Sequence, residues 1–434
     1  MIGPRLGQGR APAVTLPLRY LVAAAIAFLV ATGGVPWLAT ELAGHYYHPR
    51  ILALTHTVAL GWITLAIVGA SYQLIPIVLE RPLWSERLAR WQFLVLAAGI
   101  VGMVAHFYIG HWAGLPWAAG VVGLGVALHL VNVTLTVRGV GRWGFTPWLV
   151  AGAHVGLGLT VLFGLGLALS PAWRLWSWDA LAAVHAHLHL ALLGWVAPMV
   201  IGVAARVVPM FLLAPEPGGR LGLVQLGGLG LGVPAVVVGL LAVPALLLPG
   251  ALLLAAALAA HAVWVGAMVR RRKRPALDWG LRFVLTGTVF LLPATAMGLA
   301  LALGWLSGPR AALAYVVLAF GGWVSLSIVG MMLKIVPFLT WHRTYAPQAG
   351  RGPVPTLAQL GWPAAEGTAY AFLTGGTVVL AAAVATGSPA WARAAGALLT
   401  LGALAFAATL GHVLSHLAPG KRWRPAARVE VGTR

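Results

Sequence analysis

Residues 61–76 read GWITLAIVGASYQLIP, and the same pattern returns as GWVAPMVIGVAARVVP at 194–209 and GWVSLSIVGMMLKIVP at 322–337. Each copy places Gly-Trp, a second glycine and a proline at the same spacing. The copies begin about 130 residues apart, which is the signature of an internal structural repeat. The sequence therefore predicts three equivalent units, each centred on one copy of this motif.

Around these motifs lie twelve apolar stretches, each long enough to cross a bilayer, for which about 20 residues suffice. The three motifs fall on the second, sixth and tenth stretches, so each repeat holds four spans. We expect an all-α integral membrane protein of twelve helices in three pseudo-equivalent four-helix arcs, with the motif helices innermost. The predicted repeats cover about 15–140, 145–270 and 278–418 of one transmembrane domain, followed by a basic tail, 419–434.

The composition excludes a soluble globule, because 60% of the 434 residues are hydrophobic and only 8% are charged, against roughly 25% in soluble domains. The absence of cysteine excludes disulfides, thiolate metal sites and iron–sulfur clusters. Any bound metal must then be held by histidine, carboxylate or thioether.

The charge is strongly positive, with 28 Lys and Arg against 8 Asp and Glu. If the N-terminus is cytoplasmic, most basic residues fall in inside segments, and only Arg50, Arg174, Arg310 and Arg393 fall outside. This bias predicts that both termini are cytoplasmic. The basic runs are expected to face anionic lipid rather than nucleic acid. The first span has no small-residue cleavage site, so we expect no signal peptide, and the chain is expected in a prokaryotic inner membrane.

The fourteen histidines can be placed by depth along the predicted helices, because polar side chains in lipid usually face the bundle interior or a cofactor. His129, His154 and His261 lie in the inner half, where we expect hydrogen bonds between helices. His412 and His416 are expected to pack at the inner edge. Eight further histidines form one layer near the outer face: His45, His48, His56, His106, His111, His185, His187 and His189.

Helical rotation divides the histidines of the sixth span. His185 and His189 share one face, whereas His187 is about 200° away from His189. One helix can therefore serve two sites. Imidazole binds haem iron, copper and zinc alike, so this pattern favours two haems, or one haem and one copper.

The stretch from His187 to Pro209 resembles the tenth helix of the haem–copper oxidase subunit I superfamily, especially its C-type oxidase and nitric oxide reductase branches. That resemblance implies a twelve-helix bundle with a b-type haem and copper near the outer face. It implies His187 as ligand of a high-spin haem and His189 as ligand of a low-spin haem.

A second stretch, from His56 to His106, is similar to the family's sixth helix and the loop after it, which carry copper ligands. Here His106 matches one member of a histidine pair, and His111 is the candidate for the other. His185 is a further candidate metal ligand. If the helices of this chain are instead matched to those of the family in their order along the chain, His56 becomes a low-spin haem ligand opposite His189. With either way of matching the helices, one expected ligand is absent, because Val317 occupies its position in the third repeat.

These patterns lead to one leading hypothesis and one alternative. The chain is expected to bind haem, with copper as a second candidate cofactor, in respiratory or nitric oxide-linked redox chemistry with an electron-donor or accessory membrane subunit. If it is an enzyme, it is an oxidoreductase. The alternative is a copper or haem transporter or assembly factor. All eight acidic residues fall in loops or at helix ends, so no carboxylate relay for protons is expected.

Overall fold

A computed structural model describes residues 12–78, 81–138, 141, 143–173, 175, 177–215 and 219–418. Twelve of its helices are long and apolar enough to cross a membrane, which confirms the predicted number of spans. The predicted tail, 419–434, and Glu80, Arg174 and Glu216 lie outside the described residues. The chain is thus a multi-pass membrane protein built from helices.

Each predicted repeat contains four of these helices. The first holds α1 to α4, the second α5 to α8 and the third α9 to α12. Their bounds are α1 Thr15–Gly34, α2 Pro49–Ile77, α3 Glu86–Tyr108, α4 Trp112–Val137, α5 Phe145–Ser170, α6 Ala180–Leu212, α7 Arg220–Leu241, α8 Pro244–Arg270, α9 Trp279–Ala302, α10 Pro309–Thr344, α11 Pro363–Thr386 and α12 Pro389–Leu417.

The outer surface of the bundle is suited to lipid. Large apolar side chains such as Ile26 and Val101 are exposed along the helices, where they would contact acyl chains. Tryptophans are exposed at helix ends, as at Trp37, Trp117 and Trp305. Tryptophan is enriched at membrane–water interfaces because its ring is apolar and its N–H is polar.

The motif helices α2, α6 and α10 are the most enclosed of the twelve. Their most apolar windows are 61%, 67% and 72% buried, whereas the other nine helices range from 28% to 56%. This confirms that the motif helices are innermost. Trp62, Trp195 and Trp323 are among the largest fully enclosed side chains, at 0%, 2% and 1% exposure. The Trp62 indole N–H donates to Ser325 Oγ at 3.0 Å, joining α2 to α10.

Each motif helix contains a π-helical segment around its Gly-Trp pair. The segments are Thr57–Thr64 in α2, Leu190–Val196 in α6 and Val317–Ser325 in α10. In the π conformation the hydrogen bonds span five residues, so the helix is locally wider. The same distortion at the same motif in three helices shows that the sequence repeat is also a repeat of local structure.

The two glycines of each motif pack against the first helix of the same repeat. A Cβ placed at Gly69 would lie 2.6 Å from Tyr20 Cβ, so only hydrogen fits there. Each motif glycine contacts one position on the first helix of its repeat, and the position contacted by the second glycine always lies seven residues before the one contacted by the first. The contacts are Gly61–Ala27 and Gly69–Tyr20, Gly194–Gly156 and Gly202–Leu149, and Gly322–Phe290 and Gly330–Phe283.

The remaining contacts between helices recur with the same order. In each repeat the third and fourth helices pack side by side, as α3 with α4, α7 with α8 and α11 with α12. Neighbouring repeats meet through α4 and α5 and through α8 and α9, and α12 packs against α1. At the centre α2 contacts both α6 and α10.

The inner halves of the three motif helices enclose a cavity of about 90 Å³. Five positions of α2 line it, namely Ala66, Ile67, Ala70, Ser71 and Leu74, and the equivalent five positions of α6 and of α10 line it as well. Equivalent positions can share one cavity only when the three helices present the same face to a common centre. This cavity is called the central cavity below.

Replacing Gly69 with alanine should destabilise the bundle, because the added methyl group would force α1 and α2 apart. Overpacking of this kind costs about 1–3 kcal/mol. Gly266 in α8 has no atom within 4 Å of an added Cβ, so Gly266→Ala is the matched control and should be neutral or stabilising. Thermal unfolding of the purified protein in detergent measures both, and equal unfolding temperatures would contradict this account of the helix contact.

Candidate cofactor site among the outer histidines

His56 and His189 occupy equivalent positions of α2 and α6, immediately before the π-helical segments. Each ring Nδ1 lies 2.8 Å from the backbone oxygen four residues earlier, at Leu52 and His185 respectively. In a neutral imidazole this bond places the proton on Nδ1 and leaves Nε2 with a free lone pair. That is the tautomer in which histidine binds a metal through Nε2.

His187 points away from His189, as the helical rotation predicts. Its ring lies against α5, where a Cβ at Gly164 would meet His187 Cε1 at 2.8 Å, and it interacts with the backbone of Thr160. Its Nδ1 is buried and has no hydrogen-bond partner in the described part of the chain. His187 is also influenced by the charge that His56 would carry, which places the two imidazoles in the same region of the bundle.

The His56 ring is held from its other side by α3. It stacks on Phe107, with ring centroids 4.7 Å apart and an interplanar angle of 25°. Stacking together with the backbone hydrogen bond fixes the direction of the ring. The His56 ring is therefore held in one direction on α2, in the same region as the partly buried ring of His187 on α6.

His189 faces a different space, between α6 and the helices α8, α9 and α10. It stacks on Tyr315 of α10, with ring centroids 6.1 Å apart, and lines a cavity of about 70 Å³. His56 and His187 are not among the residues that line this cavity. The pairing of His189 with His56 expected from direct helix order stays a prediction.

His106 and His111 meet at the outer end of α3. Their Nδ1 atoms are 3.1 Å apart, and His111 is exposed. Two imidazoles bound to one metal at about 2 Å place their nitrogens within about 4 Å of each other. The ring of His106 fills the space beside Gly114, where a Cβ would collide with it. The pair is therefore preformed and open to the outer surface.

His185 lies at the outer end of the same region, where its Nε2 is 2.8 Å from the hydroxyl of Tyr46. Asp179 begins α6 by accepting the backbone N–H of Ala182 at 2.9 Å. His45 and His48 accept backbone N–H groups of Tyr47 and Arg50 through Nδ1. These last two histidines order the loop before α2.

Four of the eight outer histidines lie near one another in twos, namely His56 with His187 and His106 with His111. The other four contact backbone N–H groups or tyrosine side chains instead. In the described ranges no group of three or more His, Asp or Glu side chains is positioned to hold a metal ion.

Two of the inner histidines behave as predicted. His154 Nε2 lies 3.2 Å from His129 Nε2, which joins α5 to α4, and the Tyr72 hydroxyl lies 3.0 Å from His129 Nδ1. The Tyr72 hydroxyl is also hydrogen-bonded to the Gln92 side chain, at 3.3 Å, and that side chain is hydrogen-bonded to the Tyr20 hydroxyl. The histidines were expected to join helices, but Tyr20, Tyr72 and Gln92 were missed. Tyr72 lies within the repeated motif without being part of its pattern.

At the inner edge His416 packs as expected and bonds to the Tyr345 hydroxyl at 2.6 Å. Burial raises the pKa of that hydroxyl above its ordinary value. The prediction for His261 was wrong, because its Nδ1 is buried without a hydrogen-bond partner in the described part of the chain.

Lys334 of α10 forms an ion pair with Asp278 at the start of α9. The carboxylates among the described residues lie in loops or in first turns, such as Glu86 and Glu366. The expectation that no carboxylate lies at mid-membrane therefore holds for the described part of the chain.

Comparison with known proteins adds no family to these observations. No model of a known protein family matches the sequence, and no curated protein is similar to it.

Tyr46 should ionise at a higher pH than the ordinary value of about 10. Burial raises the pKa of its hydroxyl, and the nearby carboxylate of Asp179 raises it further. Phenolate absorbance of the native protein minus that of Tyr46→Phe should isolate this titration. In Asp179→Asn the midpoint should move part of the way down, whereas Glu41→Gln, which removes another outer carboxylate, should leave it in place. A midpoint at or below the ordinary value would contradict the arrangement.

Proposed function

We propose that this chain is a haem-binding membrane protein with a redox function, and that it holds the haem between α2 and α6. The observation that carries the proposal is that His56 and His187 lie in the same region and each has a ring nitrogen open to ligation. The Nε2 lone pair of His56 is free, and Nδ1 of His187 is buried without a partner. A buried nitrogen without a hydrogen bond is unfavourable, and ligation to iron would satisfy it.

The two rings are held by their own helices and neighbours. His187 fills the space beside Gly164, and His56 stacks on Phe107. Two imidazoles from different helices are the ligands of a six-coordinate, low-spin haem. When bound, such a haem supplies one-electron transfer. The protein residues would hold it, orient it and shield it from water.

This assignment differs from the one that the resemblance implies, where His189 is the ligand of the low-spin haem. His189 also has a free Nε2, but it lies on the other side of α6, against Tyr315. The two assignments therefore predict loss of haem from different single variants. They can be separated without knowledge of the substrate.

Copper is the second proposed cofactor, and His106 with His111 is the proposed site. The facing Nδ1 atoms, 3.1 Å apart, support it. The same exposed pair favours a second candidate function, a copper or haem transporter or assembly factor that uses the outer histidines without redox chemistry. An electron-donor or accessory membrane subunit remains part of the redox proposal.

We further propose that the helices form three pseudo-equivalent arcs in a prokaryotic inner membrane, with both termini cytoplasmic. The shared glycine contacts and the common lining of the central cavity support the three arcs. The basic run Arg270–Arg274 at the end of α8 supports the orientation, since positive charge is retained on the cytoplasmic side. In this orientation the histidine pairs face the periplasmic half.

Full-length protein purified from a host that makes haem should contain haem with a low-spin absorption spectrum. His187→Ala and His56→Ala should each remove the low-spin signal, because one axial ligand is lost. His189→Ala should retain it, since His189 lies on the other side of α6. Haem content and absorption spectra measure all three variants.

The matched control is His261→Ala, which removes a buried imidazole from the inner half of the membrane and should leave the spectrum unchanged. Loss of the low-spin signal in His189→Ala but not in His187→Ala would instead support the register implied by the resemblance. Protein that contains neither haem nor copper would reject the redox proposal. Uptake of copper or haem into proteoliposomes would then test the transporter alternative.

A further inference from the structure

The central cavity contains an unusual set of side chains for the interior of an apolar bundle. Besides aliphatic residues, it is lined by Met199 of α6, Met331 and Met332 of α10, and His261 of α8. The chain has only 8 methionines in 434 residues, and three of them meet here. The cavity lies in the inner half, well away from the outer histidine pairs.

His261 is the feature that packing does not explain. It is 2% exposed, and its Nδ1 has no hydrogen-bond partner within the described ranges. The other buried histidines of the inner half, His129 and His154, are bonded to each other and to further groups. An imidazole nitrogen buried without a partner is unfavourable, so ligation of the His261 ring would offset that cost.

The hydroxyl groups of the cavity wall present oxygen lone pairs rather than protons. Ser71 donates to the backbone oxygen of Ile67 at 2.7 Å. Ser327 donates to that of Trp323 at 2.7 Å, and Thr288 to that of Val284 at 3.0 Å. Each proton is therefore used within its own helix. Together with thioether sulfur and imidazole nitrogen, these oxygens suit a cation rather than an anion.

We propose that the central cavity binds one soft monovalent cation, Cu(I) or its analogue Ag(I), through His261 and the sulfur atoms of Met199, Met331 and Met332. Thioether and imidazole are ligands that select Cu(I) over hard cations such as Mg²⁺ or Ca²⁺. Methionine has three rotatable bonds, so the sulfur atoms can converge on an ion without movement of the backbone. This site is independent of the proposed haem site and differs in position and ligands from the His106–His111 pair.

The charged side chains nearest the cavity lie at its inner end. Lys334, one turn beyond the methionines on α10, and Arg274 share the single carboxylate of Asp278, which offsets one of their two positive charges.

The test uses full-length protein stripped with a chelator and titrated anaerobically with Cu(I) against a chromophoric Cu(I) chelator. We expect one high-affinity Cu(I) per chain whose X-ray absorption spectrum contains sulfur scatterers. Because the sequence has no cysteine, protein sulfur bound to copper can come only from methionine. The triple variant Met199→Leu, Met331→Leu, Met332→Leu should lose the sulfur signal and weaken binding by at least about tenfold.

Leucine keeps nearly the volume of methionine, so the triple variant should fold. The control is Met103→Leu with Met268→Leu, which replaces two buried methionines that do not line the cavity and should keep both the affinity and the sulfur signal. His261→Gln should also weaken binding. Copper surrounded only by nitrogen and oxygen, no bound Cu(I), or unchanged affinity in the triple variant would overturn the proposal. The spectrum of the unmodified protein decides even if the triple variant does not fold, and haem content should be equal in all of these proteins.

Discussion

The close approach between each motif helix and the first helix of its repeat is the contact on which the rest of the bundle depends. Lipid is as apolar as the helix surfaces, so burial of apolar area gives little drive for helices to associate in a membrane. Close packing must therefore drive helix association, and packing is closest where glycine allows two backbones to approach each other. Gly69, Gly202 and Gly330 provide that contact in the three repeats.

Because the contact is the same in each repeat, it also fixes which face each motif helix turns toward the centre. The faces opposite the glycines then enclose the central cavity. The inward positions Ala66, Met199 and Ser327 are equivalent yet chemically different. The repeat sets the geometry, and divergence of the individual side chains gives each part of the cavity wall its own chemistry.

The π-helical segments connect this scaffold to the histidine layer. His56 and His189 are the last α-helical residues before the helix widens. Their Nδ1 groups still reach the carbonyl four residues earlier, so their rings are anchored to the regular part of the helix. Segments of this kind are frequent at functional sites, and here one begins directly after His56 and another directly after His189.

Much of the fold could be predicted because it depends on period and spacing, which are visible in the sequence. The twelve spans and the central position of the motif helices followed from apolar length and from the repeat. The rotation between His187 and His189 followed from helical geometry. The partner of His56 could not be predicted, because rotation around one helix does not reveal which neighbour faces it.

The sequence also does not reveal which groups face the inner histidines, and this is why the prediction for His261 was wrong and part of the inner network was missed. Depth and polarity suggested that inner histidines join helices, which holds for His129 and His154. His261 differs only in what lies opposite, which is a cavity formed by three distant parts of the chain. Its pattern in the sequence contains no such information.

The proton arrangement of the inner network can be derived from its hydrogen bonds. His154 Nδ1 donates to the backbone oxygen of Val150, at 2.6 Å, so its Nε2 must accept from Nε2–H of His129. His129 Nδ1 then accepts from the Tyr72 hydroxyl, and Tyr20 donates to the backbone oxygen of Ala89 at 2.7 Å. Both phenol oxygens are satisfied when the amide nitrogen of Gln92 faces them.

This arrangement assigns every proton between Gln92 and Val150 to one acceptor. The network joins five helices, α1 to α5, and holds them in register. Loss of one member would leave its neighbour with an unpaired polar group in the interior, which is unfavourable.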